Sequence, residues 1–151
     1  FTAALARRLS EDSPLAVYHA EQDMPLLPGT VYIAPGRQHM RLRRRFGRCM
    51  LDISDQPEHL VYKPSVDELF GSLADVYPGR ALGIVLSGMG RDGLVGAARM
   101  HQTGSKLITQ TAKTCAVYGM PKAVDDANLS SAQLNPEQIR QSLLSLCPTH
   151  R

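Results

Sequence analysis

The residues best placed to do chemistry lie in Leu82–Gly93, LGIVLSGMGRDG. A short apolar run rich in β-formers breaks into Gly88, Gly90 and Gly93, with Asp92 inside the break and an amphipathic run behind it. That pattern predicts a buried parallel strand, a tight turn at its carboxyl end and a helix start. In an open α/β sheet, ligands and reacting groups collect at such turns. A carboxylate there can accept the Nδ1–H bond of a histidine and stabilise the imidazolium formed in acyl transfer. Asp92 is also well placed to cap the helix beginning at Gly93. Spacing alone does not choose between the two roles.

Residues 88–93 also satisfy G-x-G-x-x-G, the pattern of a dinucleotide site with its pyrophosphate on a helix N-terminus. Two physical objections count against that reading. Asp92 would set a carboxylate beside the phosphates. The next strand, Lys106–Gln110, ends in an amide where a ribose-binding acid is needed. Cys115 has no matched histidine base, so a small buried thiol is the simpler reading.

The elements that must position Asp92 follow from local signals. Residues 1–10 read as a helix with Leu5 and Leu9 one turn apart and Arg7 and Arg8 outward. Leu15–His19 and Val31–Ala34 read as strands, the second ended by Pro35-Gly36. His39–Ser54 alternates around Phe46-Gly47 as an antiparallel hairpin. Gln56–Lys63 is loop.

Ser65 then opens a helix, with Glu68 three residues on to complete a capping box, and Leu69, Phe70, Leu73 and Val76 form its apolar stripe. After the central strand, turn and helix come strand Lys106–Gln110 and a short helix from Met120-Pro121 to about Ala127. Leu129–Leu134 reads as an edge strand. Asn135 caps a last helix with Pro136 in its first position and Ile139, Leu143 and Leu146 inward. Strands alternating with helices predict an α/β fold: a doubly wound, mostly parallel sheet with an antiparallel hairpin, in three α/β/α layers.

Composition narrows the class. The sequence has 151 residues, 43% of them hydrophobic, enough for one domain with a real core. It contains no apolar run of about 18 residues and no signal peptide, so a cytoplasmic protein without membrane insertion is expected. Cys49, Cys115 and Cys147 are widely spaced and odd in number, which suggests reduced thiols and neither a disulfide frame nor a metal site. Net charge is +3, and Arg41, Arg43, Arg44, Arg45 and Arg48 fall within eight residues. No aromatics interleave them as a stacking platform for nucleic acid requires. A solvated hairpin face is the simpler reading, and docking on an acidic protein partner fits it too.

Four motifs in one order then carry a resemblance. Residues 28–36, PGTVYIAPG, with His39-Met40; residues 63–70, KPSVDELF; residues 87–93, SGMGRDG; and residues 117–121, VYGMP, together resemble the bacterial chemotaxis-receptor methylesterase family (CheB). The resemblance implies a protein-glutamate methylesterase acting on γ-methyl esters of chemoreceptor glutamates, in many members also a glutamine deamidase, with no metal or cofactor. It implies a Ser-His-Asp triad whose acid matches Asp92. Met89, flanked by Gly88 and Gly90, stands where the family places a residue beside the oxyanion pocket. Implied partners are the cytoplasmic helices of methyl-accepting receptors, together with a receiver domain or chemotaxis kinase.

The sequence departs from the family in one decisive respect. The family's nucleophilic serine lies in a G-x-S-x-G-G-like turn after the first strand, and its histidine precedes the position of Phe1. Neither segment occurs in these residues. His19, His39, His59, His101 and His150 match no catalytic position, and His39 is expected to support a loop. Thr111-Ala112-Lys113 replaces the family's usual acidic residues, and the stretch before Pro64 lacks its basic, histidine-rich run.

The expectation is therefore a partial catalytic domain over residues 1–151, roughly the C-terminal three quarters, inactive by itself and self-associating through an exposed sheet edge. The alternative is a non-catalytic α/β module that binds a signalling partner through its arginine hairpin.

Overall fold

The computed structural model describes residues 1–146; Cys147 and His150 lie outside them. Helix α1, Thr2–Asp12, is followed by strands β1, Ala16–His19, and β2, Thr30–Ile33. Strands β3, His39–Arg45, and β4, Arg48–Ser54, precede helix α2, Val66–Val76. Strand β5, Leu82–Val85, leads to helix α3, Leu94–Gln102, and strand β6, Lys106–Gln110. A 3-10 turn at Ala112–Thr114, helix α4, Met120–Asp126, strand β7, Ala132–Leu134, and helix α5, Pro136–Leu146, complete the order.

The expected α/β architecture is present. β1 and β2 pair in parallel, β3 and β4 form the antiparallel hairpin, and β5-β6-β7 form a parallel three-stranded sheet. The parallel strands thus fall into two separate sheets. The hairpin has the predicted register, His39 opposite Ser54 through Arg45 opposite Arg48, with Phe46 and Gly47 both at positive φ in the turn.

Two cores meet along α2. Phe70 and Ala74 join Val85, Ala97, Met100, Leu107 and Val124 in the first. Val76 joins Met40, Leu42, Cys49 and Leu51 beneath the hairpin in the second. α2 and α3 approach so closely that a Cβ on Gly96 would stand 2.6 Å from the Phe70 Cβ and 2.9 Å from the Asp67 carbonyl oxygen. Only a residue without a side chain fits there.

Three expectations are corrected. Ser65 precedes α2, but its side chain makes no capping bond to that helix, and Glu68 does not reach back. Glu68 pairs instead with Arg41 of β3, Nε to Oε2 3.0 Å. In α5, Ile139 is buried, whereas Leu143 and Leu146 are exposed together with Leu144. α5 packs against both β6 and β7, and Ile139 in its second turn is its one buried residue.

Candidate functional site

The turn after β5 is built against the loop after β6. Gly88 N–H donates to the Val117 carbonyl (3.0 Å), and the Gly88 carbonyl accepts from Gly119 N–H (3.2 Å) and Met120 N–H (2.8 Å). Ser87 Oγ accepts from Val117 N–H (3.0 Å), and Ser87 N–H donates to Gln110 Oε1 (2.8 Å). Ser87 is thereby a brace between loops, and no histidine hydrogen-bonds to it among the described residues. Both loops leave the carboxyl ends of adjacent parallel strands, where α/β folds place their sites.

Beneath the second loop, Asp125 of α4 accepts from Thr109 Oγ1 (2.6 Å) and from the Tyr118 hydroxyl (2.5 Å). The bond to Asp125, followed by burial, pushes the Tyr118 phenol up to about 12. Burial and then the Asp125 carboxylate push the half-buried Cys115 thiol up as well. A thiol held protonated is a poor nucleophile.

Asp92 is half-buried and clamped by three donors. Its Oδ2 accepts from Val66 N–H (2.7 Å), and its Oδ1 accepts from Ser65 Oγ (2.8 Å) and Asp67 N–H (3.1 Å). Asp92 therefore caps a helix, but the helix is α2 and not its own α3. α3 is served in turn from α2: Gly96 N–H donates to Asp67 Oδ1 (2.7 Å). Each helix lends a carboxylate to the other's free N–H groups. The anion position at the start of α3, which a pyrophosphate would need, is filled by Asp67.

Met89 projects from the turn and is 77% exposed. Gly90 has φ +94° and lies against Tyr62, whose hydroxyl would stand 2.8 Å from any Cβ placed there. The Gly88 amide is committed to Val117, while those of Met89 and Gly90 have no partner among the described residues. Gly90 also borders a shallow groove of about 600 Å³ that continues along Gly119, Lys122, Ala123 and Asp126.

Asp92, Met89, Gly88 and Gly90 share this one turn, and of the residues that support it the sequence pointed to His39 as a loop support but not to Asp67. His39 is fully buried, and its Nδ1 accepts from Ser65 N–H (3.2 Å), so it orders the segment that holds Asp92. Asp67 was readable only as an acidic first-turn residue of α2. Its real partner, Gly96, lies 29 residues away.

Four of the five hairpin arginines have partners within the fold, and Arg48 is exposed. Arg43 pairs with Asp23 and Asp52, Arg45 with Asp23, and Arg41 with Glu68. Arg44 donates to the Val76 carbonyl (3.0 Å) and lies 5.6 Å from the Tyr77 ring centre. No helix among the described residues is long and apolar enough to cross a membrane.

A family model described as CheB methylesterase matches residues 1–143. A protein-glutamate methylesterase/protein-glutamine glutaminase 1 of Oleidesulfovibrio alaskensis is 41% identical over 145 residues, covering 96% of this chain and 39% of that protein. The protein-glutamate methylesterase/protein-glutamine glutaminase of Aliivibrio fischeri is 42% identical over 144 residues, covering 95% and 38%. The crystal structure of the Thermotoga maritima CheB methylesterase catalytic domain superposes with a TM-score of 0.92 at 33% identity, covering 97% of this chain and 78% of that one. The chain spans about two fifths of the length of the curated relatives it matches.

Proposed function

This chain belongs to the CheB methylesterase family, and from that premise we propose that it supplies the carboxylate of a Ser-His-Asp site hydrolysing protein glutamate γ-methyl esters and deamidating glutamines. Asp92 is the acid. The serine and the histidine belong to polypeptide outside these 151 residues. The substrate is a methylated glutamate on a cytoplasmic helix of a chemoreceptor, and the setting is the bacterial cytoplasm. A receiver domain or chemotaxis kinase is the regulatory partner that fits this reading.

The observation that supports it is the clamp on Asp92. A carboxylate offers about four lone-pair sites. Two donors use Oδ1 and one uses Oδ2, so Oδ2 retains one site for an imidazole Nδ1–H. The helix cap thus fixes the carboxylate without exhausting it, and the histidine it orients needs no induced movement of the acid. The serine Oγ attacks the carbonyl carbon of the γ-ester as histidine takes its proton. The tetrahedral oxyanion then collapses, methanol leaves with that proton, and water repeats the sequence on the acyl-serine. The uncommitted amides of Met89 and Gly90 are available to donate to the oxyanion.

Methanol release from a methylated receptor fragment by the full-length gene product tests the reading. Asp92→Asn should lower kcat by roughly 1,000- to 10,000-fold, because an amide turned toward imidazole favours the wrong tautomer. A parallel unfolding curve separates that loss from the loss of the α2 cap. An Asp92→Asn variant that stays folded with near-normal turnover overturns the proposal.

A further inference from the structure

We propose that Tyr62 is a catalytic residue of this site, its phenol O–H donating a hydrogen bond to the γ-carbonyl oxygen of the substrate as that oxygen becomes an oxyanion. The inference rests on the methylesterase reading and adds a side-chain donor to it.

Two segments run side by side in the same direction. Tyr62 lies against Gly90, Ser65 bonds Asp92, and the Val66 side chain lies against Gly93. The Asp92 clamp therefore holds the segment that carries Tyr62. The result is to set a phenol on the glycine turn just ahead of the acid. Gly90 has room for it only because it lacks a Cβ; its hydroxyl and ring carbon Cζ would stand 2.8 and 3.4 Å from one.

Tyr62 is otherwise unexplained. It is 46% exposed, a member of neither core cluster, and its hydroxyl makes no hydrogen bond among the described residues. A phenol is a neutral donor that can face a developing alkoxide without first losing a proton. In the attack step the serine Oγ–carbon bond forms and the carbonyl π pair moves onto oxygen. The phenol strengthens its hydrogen bond there and transfers no proton. It points to the same atom whether methanol or ammonia leaves, because the ester and the amide share that oxygen.

Tyr62→Phe in the full-length gene product tests this on a methylated receptor fragment and on its glutamine counterpart. Loss of one oxyanion donor should lower kcat by roughly 100-fold, and at least about tenfold for a half-exposed phenol, with KM within about twofold. Ester and amide hydrolysis should fall by the same factor. The thermal midpoint should not move, since the hydroxyl bonds nothing else. Wild-type kcat in Tyr62→Phe, with Asp92→Asn still crippled, overturns the role of Tyr62 and leaves the esterase reading standing. A loss in the ester alone also overturns it, by pointing to the leaving group. Turnover indifferent to Asp92→Asn removes the esterase reading, and this proposal falls with it.

Discussion

Asp67 and Asp92 stand at the join of two helices, each accepting bonds from the N-terminus of the helix it does not belong to. Their charges act on each other. Burial raises the Asp67 pKa above the ordinary carboxyl value, and the Asp92 carboxylate raises it further, while amide donors around Gly96 oppose both. An acid with a raised native pKa binds more protons folded than unfolded. Its stabilising contribution is therefore present below the ordinary carboxyl range and is lost as pH rises through the native value. Asp67→Asn keeps an oxygen to accept the Gly96 N–H but has no charge to bury. Its thermal midpoint relative to wild type should climb as pH is raised from about 4 to about 6, across the ordinary carboxyl range and above it. A difference that stays flat, or falls, would show that the carboxylate is not penalised in the fold.

At the scale of elements, the α2–α3 join rests on Gly96. Alanine there should help an isolated helix by about 1 kcal/mol. In the fold its Cβ meets the Asp67 carbonyl oxygen at 2.9 Å and Cα at 3.0 Å, both backbone atoms. Gly96→Ala should therefore destabilise by roughly 1–3 kcal/mol, the usual cost of overpacking, and urea unfolding measures it. An unchanged or raised midpoint would mean that the helices separate freely. The same join shows what a sequence makes legible. Asn135 and Gln138 form a reciprocal cap on α5, Asn135 Oδ1 accepting from Gln138 N–H and Gln138 Oε1 from Asn135 N–H, both 2.9 Å. Nothing competes for those side chains, so the helix start expected at Asn135 forms. Ser65 and Glu68 carry an equivalent local signal, but Asp92 and Arg41 outcompete it across the fold. The hairpin was readable because its alternation and its Phe46-Gly47 turn are local. The reciprocal carboxylates and the contact of Tyr62 with Gly90 were not, because both join residues 25 or more positions apart. The outward leucines of α5 failed for a related reason, since periodicity marks an apolar face without saying which of its residues a neighbour covers.

At the scale of the molecule, the two parallel sheets share no strand among the described residues, and β5 pairs there with β6 alone. Parallel sheets normally have both faces covered. In β5, Gly83 and Val85 are buried while Leu82 and Ile84 are only half-buried, and Leu86 beyond the strand is exposed. The open side of β5 thus offers unpaired backbone groups beside apolar side chains, the combination that templates pairing with another strand. We infer that the 151-residue chain by itself associates through this edge, and that strands carrying the proposed serine and histidine occupy it in the active protein. Light scattering on the eluting 151-residue chain should give a mass that rises with concentration in the micromolar range. Leu86→Lys, which sets a charge beside the edge, should shift the distribution toward one chain. A single-chain mass at every concentration, with one cooperative unfolding transition, would overturn this. It would also mean that α2 and its two cores close the molecule without any further strand, and the serine and histidine would then have to reach Asp92 from a separate surface.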